Sequence, residues 1–181
     1  MHDDVTAAEK QRLRREFGAI RRRRSTSELA AARAAVRAAV LTVSSSWPCV
    51  AAYEPLPSEP GSVELLDALA GLGARVLVPV TLPDRDLEWA CWDAWPRESL
   101  GPAAVAAASA VLVPALAVAS DGTRLGRGGG SYDRALARCA PGAPLVALLF
   151  DGELVDTLPA QPWDRPVTDV VQPSGWTVVG R

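Results

Sequence analysis

The chain predicts an α/β fold in three layers, an α/β/α sandwich with a sheet covered on both faces. Three observations carry that expectation. Helix-like and strand-like runs alternate along most of the sequence. Val76-Leu77-Val78 and Leu145–Phe150 are near-continuous apolar runs, as expected of strands buried on both sides. The 181 residues, 49% of them hydrophobic, suit one folding unit with a sizeable core, so a single domain over residues 1–181 is expected.

The elements follow in order. Thr6-Ala7-Ala8-Glu9 and Ser25-Thr26-Ser27-Glu28 each have the pattern of a capping box and should open two helices. In the first, Leu13, Phe17 and Ile20 recur at helical spacing as a buried stripe, with Lys10 and Arg14 on its flank, directed into a neighbouring cleft. The second helix, rich in alanine with Leu29, Val36 and Val40, should run to about Ser44. Strands are expected at Cys49–Tyr53, Arg75–Val80, Leu87–Trp92, Val111–Val113, Leu145–Phe150, Asp169–Val171 and Trp176–Val179. Further helices should fill Ser62–Leu72, Pro102–Ala108 and Tyr132–Cys139.

Composition narrows the chemistry. His2 is the sole histidine and lies near the N-terminus, which argues against imidazole-based triads and histidine zinc sites. Catalysis must then rest on Lys, Arg, carboxylates, hydroxyls and backbone amides. Cys49, Cys91 and Cys139 are widely spaced, with no paired framework. They read as reduced thiols of a cytoplasmic protein, and the polar start Met1-His2-Asp3-Asp4 does not resemble a signal peptide. The alanine-rich stretch from Leu100 to Ser120 is too weakly apolar, and too broken by prolines, for a membrane span. Net charge is −2, yet Lys10 to Arg24 holds eight basic residues against one acid, Glu16. That local +7 leaves −9 elsewhere, and Arg21–Arg24 reads either as a solvated face or as a grip for a polyanion.

The chemical signal is concentrated in Asp121–Arg134. Gly126 and the triplet Gly128-Gly129-Gly130 allow a tight turn whose N–H groups approach phosphate oxygens. Arg124 and Arg127 add forked donors, and the following helix its positive end. Asp133, in that helix's first turn, is placed to serve a magnesium ion bridging phosphates. No Gly-Lys-Ser/Thr follows, so this is not a Walker A loop. Glu59 ends a proline-rich stretch after the Cys49–Tyr53 strand. It could accept from a heterocycle's N–H groups, although on spacing alone an exposed acid in a turn is the simpler account. Trp163-Asp164-Arg165-Pro166-Val167-Thr168-Asp169 offers acids near a late strand without a diagnostic pattern, and the six tryptophans read mostly as core.

Arg124-Leu-Gly-Arg-Gly-Gly-Gly-Ser-Tyr-Asp-Arg134 resembles the signature of 5-formyltetrahydrofolate cyclo-ligases, also called 5,10-methenyltetrahydrofolate synthetases. The resemblance extends over nearly the whole chain, through Lys10-Gln-Arg-Leu-Arg14, Val50–Tyr53 leading to Glu59, Val111–Ala117, and Phe150-Asp151 through Leu158-Pro159 to Val171. It implies a fold like that of ribose-phosphate isomerases and CoA transferases. It also implies that ATP, with Mg²⁺, phosphorylates the N5-formyl oxygen and that N10 then closes the ring. By the resemblance, Lys10, Arg14, Arg124, Leu125, Gly126, Arg127, Gly128, Gly129, Gly130, Ser131 and Tyr132 would contact ATP. Glu54, Glu59, Arg127, Gly128 to Gly130 and Ser131 would contact folate, and Asp133 and Thr168 the metal. Catalysis would fall to Arg127, Gly128, Gly129, Gly130 and Tyr132. Ser131 stands where members often carry Tyr, and Thr168 where a metal-linked Asp is often found, with Asp169 one residue later. The expected partner is 5-formyltetrahydrofolate, with neither membrane nor nucleic acid, and the chain a monomer. A nucleic-acid-binding protein, a sugar-phosphate isomerase or a non-catalytic nucleotide binder on the same fold are the rival readings.

Overall fold

The computed structural model describes residues 2–180. Helices α1 (His2–Arg22) and α2 (Thr26–Leu41) come first, then β1 (Cys49–Ala51), α3 (Val63–Gly71), β2 (Arg75–Thr81) and β3 (Leu87–Cys91). A 3₁₀ turn at Pro102–Ala107 leads into β4 (Ala110–Pro114), β5 (Ala117–Ala119), β6 (Arg124–Leu125) and α4 (Ser131–Leu136). The chain ends through β7 (Leu145–Leu148), β8 (Leu154–Val155), β9 (Asp169–Gln172) and β10 (Gly175–Val178).

Among the described residues the main sheet has seven strands in the order β10-β9-β7-β4-β1-β2-β3. Its five inner strands are parallel and its two edge strands antiparallel. Side chains alternate between faces along each strand. On β4, Ala110 and Leu112 join the core beneath α2 and α3, with Val36, Val40, Leu65, Leu66 and Leu69. Val111 and Val113 face the opposite core, with Val105, Ala135 and Leu136. The three-layer α/β sandwich is therefore present, with one modification. The second covering layer is part helix and part a three-stranded sheet, β6-β5-β8, which the sequence did not announce because its strands are two or three residues long.

Helix α1 packs on that small sheet, and here the expected stripe is corrected. Phe17 is buried beside Leu116, Ala117 and Leu125, but Ile20 is 44% exposed. The residues facing inward are Lys10, Arg14, Phe17 and Arg21, which fall within an arc of about 60° at 100° per residue. Buried partners for the cations turn the helix away from the purely apolar phase. Nor does Thr6–Glu9 open it, since α1 already runs from His2. The Ser25–Glu28 capping box is present as expected, with each side chain bonded to the other residue's backbone N–H. Leu41 ends α2, short of Ser44, which instead begins a separate 3₁₀ turn.

The connection after β1 runs through α3 to β2, while β4 lies on β1's other side and leads toward β7 and β9. Strand order thus reverses between β1 and β4. In open parallel sheets the crevice beyond such a reversal, at the carboxyl ends of the strands, is where ligands bind.

Candidate active site

A cavity of about 1110 Å³ opens at that position, lined from the strand ends by Tyr53, Pro79 and Pro114. Its volume lies at the upper end of the range of small-molecule sites, about 300–1,000 Å³. Its walls are built mainly by the inward face of α1, the loop after β1 with Glu54, Leu56 and Glu59, the glycine loop between β6 and α4, and the stretch from Gln161 to Pro166.

The glycine loop is set by backbone needs at two positions. Gly128 has φ +101°, and a Cβ there would lie 3.1 Å from the Arg14 guanidinium carbon. Gly130, with φ +68°, is the left-handed residue from which α4 begins. Gly129 has no positive φ and would bring a Cβ within 3.4 Å only of the Ser131 hydroxyl, so the special glycines flank it. Close approach also marks Gly126, where a Cβ would sit 2.7 Å from Arg124 Nη1. Because α4 has only six residues, its dipole adds less than a long helix would.

Four cations converge on the loop. Lys10, 5% exposed, donates to Asp164 and, at 3.4 Å, to Gln161. Arg124 donates from Nη2 to Asp133 Oδ1 at 2.8 Å, and Arg127 from Nε to Glu59 Oε1 at 3.1 Å. Arg14 differs: its Nε donates to the carbonyl of Gly126 at 2.9 Å, a neutral acceptor. Lys10, Arg124 and Arg127 thus each hold a carboxylate, and among the described residues no salt bridge is formed by Arg14. The surplus positive charge of the ring therefore resides on Arg14, where an incoming anion meets least competition.

Glu59 is a buried acid, 4% exposed, and no surface turn residue. Besides Arg127 it accepts from the Leu56 N–H at 2.9 Å, so the loop after β1 folds back over its own carboxylate. Glu54 lines the mouth and accepts twice from Arg97, which stacks over Trp92. Two hydroxyls remain. Those of Tyr53 and Tyr132 are buried at the cavity with no hydrogen-bond partner among the described residues. Burial pushes both phenols above their ordinary value, and the nearby Glu59 carboxylate pushes the same way. Both stay protonated at neutral pH, as donors awaiting an acceptor.

Two expected contacts are not brought here. Leu125 is 1% exposed and packs with Phe17 and Leu116, so its side chain belongs to the core. Thr168 sits at the start of β9, opposite the start of β7, at the N-terminal ends of the parallel strands. Its hydroxyl accepts from the Leu145 N–H and donates to Asp169, and neither residue is part of the cavity wall. The other expected residues, Lys10, Arg14, Glu54, Glu59, Arg124, Gly126 to Tyr132 and Asp133, all line it. Missed from sequence were Asp164 and Gln161, which secure Lys10, and the free hydroxyl of Tyr53. The Trp163–Asp169 cluster held the signal for Asp164, but pairing across 154 residues leaves no local pattern.

Comparison with known proteins settles the family. The model of the 5-formyltetrahydrofolate cyclo-ligase family matches residues 6–173. The chain belongs to this family. It is accordingly an enzyme of the ligase class. A 5-formyltetrahydrofolate cyclo-ligase of Mycolicibacterium smegmatis (strain ATCC 700084 / mc(2)155) is 42% identical, over 68% of this chain and 73% of that protein. Two solved structures share the fold. The 5,10-methenyltetrahydrofolate synthetase of Mycoplasma pneumoniae superposes with a TM-score of 0.77 at 24% identity, covering 90% of this chain and 98% of that one. That of Aquifex aeolicus gives 0.78 at 20%, covering 93% and 92%. No helix among the described residues is long and apolar enough to cross a membrane. The Arg21–Arg24 run is divided: Arg21 and Arg24 lie over the Phe150 ring, and Arg22 and Arg23 are exposed.

Proposed function

We propose that this cyclo-ligase uses ATP to convert 5-formyltetrahydrofolate to 5,10-methenyltetrahydrofolate, releasing ADP and phosphate. The observation that carries the reading is the gathering of Lys10, Arg14, Arg124 and Arg127 around one glycine loop in a single cavity, with a buried acid, Glu59, held by Arg127. The cations suit a triphosphate, and Glu59 with Glu54 suits the N–H groups of a pterin. Phosphoryl transfer depends on positioning and charge stabilisation more than on a base, which fits a chain whose sole histidine is His2.

The formyl oxygen attacks the γ-phosphorus and ADP leaves, giving an iminophosphate. The N10 lone pair then attacks the formyl carbon, the C–O bond breaks, phosphate departs with that oxygen, and the N10 proton passes to solvent. Arg127 bridges the two halves, since it holds Glu59 from the glycine loop, and the loop from Gly128 to Ser131, on the cavity wall, would offer its N–H groups to the transferring group. The Tyr132 hydroxyl, protonated and unpaired, donates to the oxygen that accumulates charge.

Magnesium is commonly held by one or two carboxylates together with substrate phosphates. Asp133 supplies one such carboxylate on the cavity wall; its Oδ1 accepts from Arg124 and from the Arg165 N–H at 3.2 Å. Asp133 is a single carboxylate, so the rest of the ion's shell would come from phosphate oxygens and water. When bound, the ion would neutralise charge on the phosphates. Thr168 is given no part in this.

Purified protein with Mg-ATP and 5-formyltetrahydrofolate should develop methenyl absorbance, with ADP and phosphate formed one for one. Absorbance that rises without ATP, or ATP consumption that ignores folate, defeats the proposal.

A further inference from the structure

Arg21 is 3% exposed and Glu153 2%, and the two meet through a paired contact, Nε to Oε1 at 2.8 Å and Nη2 to Oε2 at 2.6 Å. Arg21 Nη2 also donates to the carbonyl of Ala115 at 2.7 Å, and Glu153 accepts from the Phe150 N–H at 2.8 Å. The pair therefore ties α1 to the segments just beyond β4 and β7, adjacent strands of the main sheet, of which β4 reaches the cavity. Ala115 itself lines that cavity. A buried ion pair is a poor source of stability compared with apolar packing of the same volume, so its presence calls for another role.

We infer that the Arg21–Glu153 pair is a positioning device that sets the rotation and tilt of α1 so that Lys10 and Arg14 reach the nucleotide. Arg21 lies 11 and 7 residues beyond them on the same helix face. The apolar seat of α1 is small: Phe17 is the one buried apolar residue among its described side chains, with Leu13 packed partly buried beside it, and so narrow an apolar contact sets rotation about the helix axis only weakly. A forked guanidinium bound at two oxygens removes that freedom. The lever is long: Lys10 lies about 16 Å along the axis from Arg21, so a tilt of about 5° displaces it by about 1.4 Å. Misplacement on that scale is costly for a phosphate contact.

This inference rests on the proposed role of Lys10 and Arg14, and the experiment separates the two. In Arg21→Met/Glu153→Leu the pair is replaced by apolar groups, and in Arg21→Lys the charge stays while the fork is lost. Both should fold, by circular dichroism and a cooperative melt, and both should raise KM for ATP about tenfold while KM for the folate moves less than about twofold. In a Lys10→Ala/Arg14→Ala background the same changes should add less than about a further twofold, since the anchor acts through those residues. Lys10→Ala/Arg14→Ala leaving KM for ATP unchanged would remove the nucleotide role of α1 and the anchor with it. A raised KM in that variant, with wild-type values in both Arg21 variants or fully additive effects, overturns the anchor alone. Should Arg21→Met/Glu153→Leu not fold, Arg21→Lys decides the matter by the same two measurements.

Discussion

Helix α2 lays Val36 and Val40, both fully buried, on the main sheet through an apolar contact that includes Leu65, Leu69 and Val171. Helix α1, just before it in the chain, is attached through Lys10 to Asp164, Arg14 to Gly126 and Arg21 to Glu153 and Ala115. Apolar burial is strong but without direction, and it tolerates small rotations. Charged hydrogen bonds add less net stability but fix orientation. The difference teaches where this protein puts its stability and where it puts its geometry: α1 meets the body largely through directional contacts, whereas α2 rests on a wide apolar seat, to which Arg33 adds bonds to the carbonyls of Leu56, Pro57 and Glu59.

The largest expected effect comes from the glycine that α1 leans on. Gly128→Val meets both a left-handed φ and the Arg14 guanidinium, so it should lower kcat/KM by at least about a hundredfold in a protein that still melts cooperatively. An active Gly128→Val enzyme would mean that Arg14 need not pack against the loop. Next is Lys10→Ala, which should raise KM for ATP about ten- to a hundredfold, corresponding to a lost charge-assisted contact of about 1.5–3 kcal/mol. Steady-state titration of ATP at saturating folate measures it, and a change confined to kcat would contradict a binding role.

The other side of the comparison predicts the reverse pattern. Val40→Ala should cost about 2 kcal/mol through lost burial and a residual cavity, lowering the melting temperature by about 4–8 °C. KM for ATP should not move; a shift would show that α2 also steers the site. The smallest effect is distant from both helices. The Arg138 guanidinium holds Asp86 down from 3.8 to about 2, helped by the Leu87 N–H. A depressed carboxylate pKa contributes stability that is present above the unfolded value and is lost as pH falls from about 4 toward 2. Thermal melts of Asp86→Asn should therefore lie slightly below wild type at pH 6 and converge with it near pH 2. Parallel curves across that range would assign the pair no pH-linked role.

Much of this was legible in the residues. Near-continuous apolar strands announced the covered parallel sheet, and the Ser25–Glu28 box placed the start of α2. The glycine loop marked the cavity, because consecutive glycines between arginines have few purely structural uses. What stayed hidden was hidden for physical reasons. Strands of two or three residues have no period, so β5, β6 and β8 read as loop. The phase of α1 departs from its apolar stripe at Ile20 because cations with buried partners behave like core residues, and Glu153, Gln161 and Asp164 lie far away in sequence. Thr168 was assigned by resemblance, whereas its hydroxyl serves the pairing of β7 with β9.

One property of the cavity bears on how a round of reaction ends. Lys10, Arg124 and Arg127 each rest against a carboxylate of the protein, so an arriving phosphate group trades places with Asp164, Asp133 or Glu59, or shares the cation with it. Much of the attraction felt by an anion is thereby spent on displacing or accommodating the resident acid. The same acids stand ready when the anion leaves and reclaim their cations as it goes. On the proposed reaction the site would resemble an exchange resin more than a trap, with short residence for two highly charged products whose escape can limit turnover.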